Sequence, residues 1–142
     1  MHITSQELAH VAATEAPRFD MYTGIHKALR AFMADTLLAV GRMDARDPQD
    51  LADATARVLQ LLGFCAAHVQ HENEFVHKAI EARAPGASDA VGHDHEEHVK
   101  HIAMLADLVG RLQGAGDAQR PALATRLYRE LALFIADNFQ HM

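Results

Sequence analysis

The nine residues 93 to 101, HDHEEHVKH, contain four of the 11 histidines of this chain. Neutral imidazole nitrogen and ionised carboxylate oxygen are ligands that transition-metal ions bind well. A helix face that only meets solvent does not need imidazoles, because lysine and glutamate are sufficient there. The segment therefore indicates metal binding, and the question is which helices place its histidines.

Apolar residues recur every three or four positions, the spacing of one helix face, in four segments of the chain. The first helix is predicted over residues 19–40. The second begins at Asp47 and Pro48, an N-cap followed by proline at the first helical position. It extends to about residue 84, far beyond the usual helix length, which allows for a break near Gly63.

Ser88 or Asp89 is predicted to cap the third helix, which ends at the sequence GAGD, residues 114–117. Pro121 suits the first turn of the fourth helix. The residues predicted to face the core are Tyr22, Ile25, Leu29, Phe32, Met33, Leu37 and Val40 in the first helix; Leu51, Thr55, Val58, Leu61, Leu62, Cys65, His68, Glu72, Phe75, Val76 and Ala79 in the second; Val91, His95, His98, Ile102, Leu105 and Val109 in the third; and Leu123, Leu127, Leu131, Phe134, Ile135, Asn138 and His141 in the fourth.

Four long amphipathic helices joined by short loops predict an all-α fold, an up-down-up-down antiparallel four-helix bundle over residues 18–142. No segment shows the period of two that is typical of a β-strand. Residues 1–17 carry Glu7, His10 and Glu15 and are predicted to form an N-terminal arm, a short helix or a lid.

Six possible metal ligands lie on or beside the predicted inner faces: His26, His68, Glu72, His95, His98 and His141. In an antiparallel bundle the beginnings of the first and third helices lie at the same end as the ends of the second and fourth. Burying these groups without partners would cost roughly a few kcal/mol each, a cost that a shared metal ion offsets. The six are therefore predicted to form a metal site.

The other histidines are predicted to lie elsewhere. His2, His10 and His77 are expected at the surface or at loop edges. His71, His93 and His101 lie off the best apolar stripe. They are expected to be solvated, or to contact a metal ligand without binding the metal themselves.

The bulk properties exclude several classes of function. The net charge of −6 and the pI near 5.9 disfavour nucleic acid and anionic membranes as partners. The N-terminus lacks the pattern of a signal peptide, and no apolar run is long enough to cross a membrane. A cytoplasmic protein is expected, in which the single cysteine, Cys65, fills the core.

The ordered motifs GIHKALRAFM with His26, AHVQHEN with His68 and Glu72, HDHEEHVKH, and ADNFQHM with His141 resemble those of the hemerythrin-like, or HHE cation-binding, family. The resemblance covers roughly residues 18–142. It implies a non-heme di-iron centre, bridged by carboxylates, whose partner is dioxygen or another small diatomic ligand such as nitric oxide, or a site that reports iron and redox state. It also implies a binding protein without catalytic residues, not an enzyme.

The sequence departs from the family pattern in two places. The in-facing histidines of the third helix, His95 and His98, are three residues apart where muscle-type members have a spacing of four, so which of them is a ligand stays open. The carboxylate expected about four residues after His141 has no counterpart before Met142. The last helix is therefore expected to be truncated, with another group in that place or a homodimer that completes the site.

Three alternatives remain. A mononuclear zinc or nickel site needs only three or four of the histidines and Glu72. A ferritin-like di-iron oxidase needs Glu-x-x-His on two helices, and the bundle offers only Glu74 to His77, the other match being Glu7 to His10 in the N-terminal segment. The third alternative is a helical interaction module without metal.

Overall fold

A computed structural model describes residues 4–13 and 21–142, and its regular elements are all helical. The elements are α1 (Ser5–Ala13), α2 (Met21–Arg42), α3 (Pro48–His71), a π-helix called the π segment (Glu72–His77), α4 (Lys78–Glu81), α5 (Asp89–Gln113) and α6 (Arg120–His141). The predicted all-α class is thus confirmed for this part of the chain. His2, Glu15 and the predicted boundary at residues 17 and 18 lie outside the described residues.

The beginning of α3 follows directly from its sequence. The Asp47 side chain accepts hydrogen bonds from the backbone nitrogens of Gln49 and Asp50, at 2.8 and 3.2 Å. Pro48 occupies the first helical position, where a missing N–H costs nothing. The predicted cap is therefore confirmed.

The beginning of α5 differs from the prediction. Ser88 takes the N-cap position but makes no capping hydrogen bond, because its hydroxyl donates to Glu81 Oε1 at 2.6 Å. The side chain of Ser88 thus holds the loop between α4 and α5 and leaves the helix terminus uncapped.

The four long helices pack in a ring, in which α2 and α5 each contact both α3 and α6. The most deeply buried apolar side chains include Met33, Leu61, Leu105, Leu131 and Phe134, so that every helix of the ring contributes. Burial of one such side chain stabilises the fold by roughly 1.5–3 kcal/mol. This core fixes the helices relative to one another, and with them the polar side chains beyond its end. No helix among the described residues combines the length and the apolar character that a membrane span requires.

The second predicted helix continues past Gly63 without a break and becomes π-helical at Glu72. In a π-helix each backbone hydrogen bond joins a residue to the fifth residue along the chain, whereas in an α-helix it joins a residue to the fourth. The side chains that follow are therefore displaced around the helix axis. Phe75 is 67% exposed and Ala79 is exposed as well. The prediction that these two face the core is wrong, because it assumed an α-helical register.

At the same end of the ring, two more residues that were predicted to face the core are exposed. Ile25 is 45% exposed and Val91 37% exposed. Both line cavities next to the histidines, at a level where polar side chains and open space replace the close apolar packing of the core.

Candidate metal centre

Five helical elements bring possible metal ligands to one end of the ring. His26 comes from the second turn of α2, His68 from the last turn of α3, Glu72 from the start of the π segment, His95 from α5 and His141 from the end of α6. These five side chains form two groups of close ligand atoms. The predicted convergence is therefore observed for these five residues.

The first group consists of His26, His68 and Glu72. The two Nε2 atoms are 3.1 Å apart, and Glu72 Oε1 lies 3.4 Å from His26 Nε2 and 3.3 Å from His68 Nε2. Ligand atoms about 2.1 Å from one ion at angles of 90–110° are separated by roughly 3.0–3.4 Å. The spacing of the group therefore fits a single metal ion.

The second group consists of Glu72, His95 and His141. The Nε2 atoms of His95 and His141 are 3.0 Å apart, and Glu72 Oε2 lies 3.2 Å from His95 Nε2. All three ligand atoms lie within 4.8 Å of one another. This group also fits one ion.

Glu72 belongs to both groups through different oxygens, Oε1 in the first and Oε2 in the second. Its side chain is buried, with 7% of the residue exposed. Burial alone would raise its pKa, but hydrogen bonds with His95 and His26 and the charge of His68 outweigh burial and lower the pKa to about 2. The carboxylate is therefore ionised at neutral pH, with one oxygen in each of the two groups of possible ligands.

The imidazoles of the site must be neutral to bind a metal. Burial lowers the pKa of His68, an effect that the nearby histidines reinforce and Glu72 opposes. The ring is thus held in the form that offers a nitrogen lone pair at neutral pH.

Side chains outside the two groups orient the rings of the second group. His95 Nδ1 lies 2.8 Å from Asn73 Oδ1, so an Nδ1 proton donated to Asn73 leaves the Nε2 lone pair free for a metal. Asp94 Oδ2 lies 3.4 Å from His141 Nδ1, the carboxylate–histidine arrangement that is common behind metal ligands. Sequence reasoning did not identify Asn73 because an asparagine in a helix carries no such signal.

The structure places His98 outside both groups. Its Nε2 lies 3.0 Å from Asp137 Oδ2, and its buried Nδ1 has no hydrogen-bond partner among the described residues. Burial and the charge of His141 lower the pKa of His98, while Asp137 opposes the shift. The ring centroid of His98 lies 4.9 Å from that of His141, so His98 borders the second group, and its role as a ligand stays a prediction.

His77 was predicted to lie at the surface, and the structure corrects this. Its ring stacks on that of His95, with centroids 4.9 Å apart and planes at 9°. The cause is the π segment, because hydrogen bonding from each residue to the fifth along brings His77 back to nearly the same side of the helix as Glu72. His77 therefore packs on one of the candidate metal ligands.

The remaining histidines follow the prediction more closely. His10, His71 and His93 are exposed, and His101 is half-buried with Nε2 4.0 Å from Glu130. None of the four belongs to a metal group among the described residues.

Cys65 is buried in the core, and burial raises the pKa of its thiol to about 12. A thiol with so high a pKa is protonated at neutral pH and is neither a nucleophile nor a good metal ligand. The expectation that it fills the core agrees with its placement.

A cavity of about 320 Å³ lies against the metal groups and is lined by residues from both of them. Its wall is only partly apolar. Ile80, Ala87 and Val91 line it together with polar residues such as Glu72 and His77.

Comparison with protein families agrees with the geometry. The family model for the hemerythrin HHE cation binding domain matches residues 19–142. Comparisons with curated proteins and with solved structures found no match. The matched range contains all five residues of the two metal groups, and the resemblance inferred from the ordered motifs is confirmed.

Proposed function

The chain belongs to the family of hemerythrin HHE cation-binding domains, and from that premise we propose that its site holds two non-heme iron ions and binds or senses dioxygen or another small diatomic ligand such as nitric oxide. Cation binding is the property of the family. The number of ions, their identity and the ligand are the proposal.

The position of Glu72 is the observation that carries the proposal. One oxygen lies 3.3 Å from His68 Nε2 and the other lies 3.2 Å from His95 Nε2. A mononuclear site would need only one of the two groups. Because the carboxylate is buried and ionised between them, it matches two positive ions better than one.

The number of protein ligands in each group favours iron over structural zinc. A structural zinc site is closed by four protein ligands, whereas each group here supplies three and shares one of them. Incomplete coordination next to a cavity suits an ion that takes up an exogenous ligand. Two irons would supply the electrons for reversible oxygen binding, while the protein positions the ions and limits access to them.

The side chains at the site support a role in binding a ligand and not in catalysing a further reaction. The thiol of Cys65 is buried and protonated, and the ferritin-like motif of Glu74 and His77 belongs to neither metal group among the described residues. Glu74 of that motif is exposed and accepts a hydrogen bond from Gln70 at 2.8 Å, away from both metal groups. The common level of His26, His68, His95 and His141 also supports the proposed up-down-up-down topology.

The proposal is tested by metal analysis and absorption spectroscopy of protein made in iron-replete cells. We expect close to two irons per chain, and near-ultraviolet ligand-to-iron absorption that changes when the reduced, anaerobic sample is aerated. Glu72→Ala, purified in parallel, serves as the control that should lack both. One zinc per chain without iron would favour the mononuclear alternative, and a spectrum that does not respond to air in iron-loaded protein would refute oxygen binding.

A further inference from the structure

The cavity next to the metal groups has room for a small ligand. Its volume is about 320 Å³. It is lined by Tyr22, His26, Glu72, His77, Ile80, Ala87, Ser88, Val91, His141 and Met142. A ligand in this cavity would meet side chains of both metal groups.

Most polar side chains that line this cavity already belong to a metal group or make a hydrogen bond. His26, Glu72 and His141 belong to the metal groups, and the Ser88 hydroxyl donates to Glu81 Oε1. His77 is different, because neither of its ring nitrogens has a hydrogen-bond partner among the described residues, and its ring stacks on that of His95. An imidazole always carries at least one N–H, so His77 has a donor to offer.

His77 is also held in place. Its ring lies parallel to that of His95 at 4.9 Å, and the π segment turns it toward the side of Glu72. A second, more open cavity of about 770 Å³ is lined by His77 and Ser88 as well. His77 therefore lies between the outer cavity, which is also lined by His95, and the inner one, which is lined by residues of both metal groups.

We propose that His77 is a ligand-selecting residue that donates a hydrogen bond to a small nitrogen or oxygen anion held in the inner cavity. The proposal rests on the proposed function, since the anion is drawn to the site by the metal ions. A hydrogen bond to an ionised acceptor is shorter and stronger than one between neutral groups, so His77 favours anions over neutral ligands of the same size.

The experiment is a titration of iron-loaded protein with azide, followed by the absorption change, with metal content measured on the same samples. His77→Phe keeps an aromatic ring to pack on His95 but removes the donor, and His77→Gln restores an N–H. The matched control is His93→Phe, because His93 is exposed and lines the outer cavity but not the inner one.

We expect His77→Phe to weaken azide binding about tenfold, the loss of one hydrogen bond to a charged group, with iron content unchanged. His77→Gln should recover part of the affinity, and His93→Phe should bind azide as the wild type does. Equal azide affinity of His77→Phe and wild type at equal iron content would overturn the role of His77 alone. Loss of iron from His77→Phe would overturn it in favour of a metal-binding role, and absence of iron from the wild type would refute the proposed function itself.

Discussion

The Oε2 atom of Glu72 lies 3.2 Å from Nε2 of His95 on another helix, while the Oε1 atom of the same carboxylate lies in the other metal group. A side chain shared in this way would bind an ion in either group, whereas each histidine would bind an ion in one group only. The two kinds of ligand can therefore be separated by substitution.

Glu72→Gln should abolish binding at both groups, because the neutral amide loses the charge that lies between them. His68→Ala should lose mainly the ion of the first group and retain about one ion per chain. The measurement is metal content per chain after removal of free metal. His71→Ala is the matched control, since His71 is an exposed neighbour on the same helix and should retain the full content. Identical metal content in all three variants would contradict the assignment of the groups.

Asn73→Leu should weaken metal binding by roughly 10- to 100-fold, the usual cost of removing a hydrogen-bond partner behind a ligating histidine. The reason is the 2.8 Å contact between Asn73 Oδ1 and His95 Nδ1, which selects the tautomer and the ring orientation. Asn73→Asp keeps the acceptor and should bind close to normally. Competition with a coloured chelator gives the affinities, and Gln70→Leu, which alters another exposed polar residue of the same helix, is the control. Equal affinity for Asn73→Leu and wild type would show that His95 needs no such support.

Helical periodicity predicted the fold well because the core obeys it. Met33, Leu61, Leu105 and Leu131 lie where the spacing of three and four puts them, and all are fully buried. Asp47 also begins its helix through a hydrogen bond that the sequence makes evident. Local rules of this kind need no knowledge of the neighbouring helices.

The sequence did not predict the π segment. No residue in ENEFVH signals hydrogen bonding to the fifth residue along, so the α-helical register placed Phe75 inside and His77 outside, the reverse of what is observed. Local sequence rules describe helix propensity and capping but not contacts between helices, such as that of Asn73 with His95. For the same reason the sequence could not decide between His95 and His98, whose inward positions are nearly equivalent until the contact of His98 with Asp137 separates them.

The stability of the metal-free protein should fall as the pH drops below about 6.5. Burial lowers the pKa of His68 and of His98 in the folded chain, so the unfolded chain binds protons more readily than the folded one. The stabilisation is fully present above the ordinary histidine pKa and is lost as the pH falls through the lowered values. Glu72, with its pKa lowered to about 2, keeps its charge throughout this range.

The measurement is urea denaturation at pH 8, 7, 6 and 5 in the presence of a chelator. His98→Gln is the informative variant, because its amide can still donate to Asp137 but cannot titrate. We expect a shallower loss of stability on acidification in this variant than in the wild type. The same loss in both proteins would mean that His98 does not contribute to the pH dependence.

The carboxylate of Glu81 closes the loop between α4 and α5. Removal of this carboxylate should open the cavity next to the metal groups. Glu81 accepts hydrogen bonds from the Ser88 hydroxyl at 2.6 Å, the Gly86 backbone nitrogen at 2.7 Å and the Ser88 backbone nitrogen at 2.9 Å. These bonds, that from the Ser88 hydroxyl above all, lower the pKa of Glu81. The closure should therefore persist below the ordinary glutamate range and be lost only at still lower pH.

Glu81→Gln replaces one acceptor oxygen by an NH₂ group that cannot accept from a backbone N–H, so part of this closure must break. We expect faster amide hydrogen exchange at Gly86 and Ser88, and faster loss of metal to a chelator because Ser88 lines both cavities. The control is Glu97→Gln, which removes an exposed carboxylate paired with Lys100 at 2.6 Å and should change neither rate. If exchange accelerates at Gly86 and Ser88 while metal release stays as slow as in the wild type, the loop is closed by Glu81 but does not control access. Ions must then leave by another route, such as the cavity that is lined by Tyr22, His68 and Phe75.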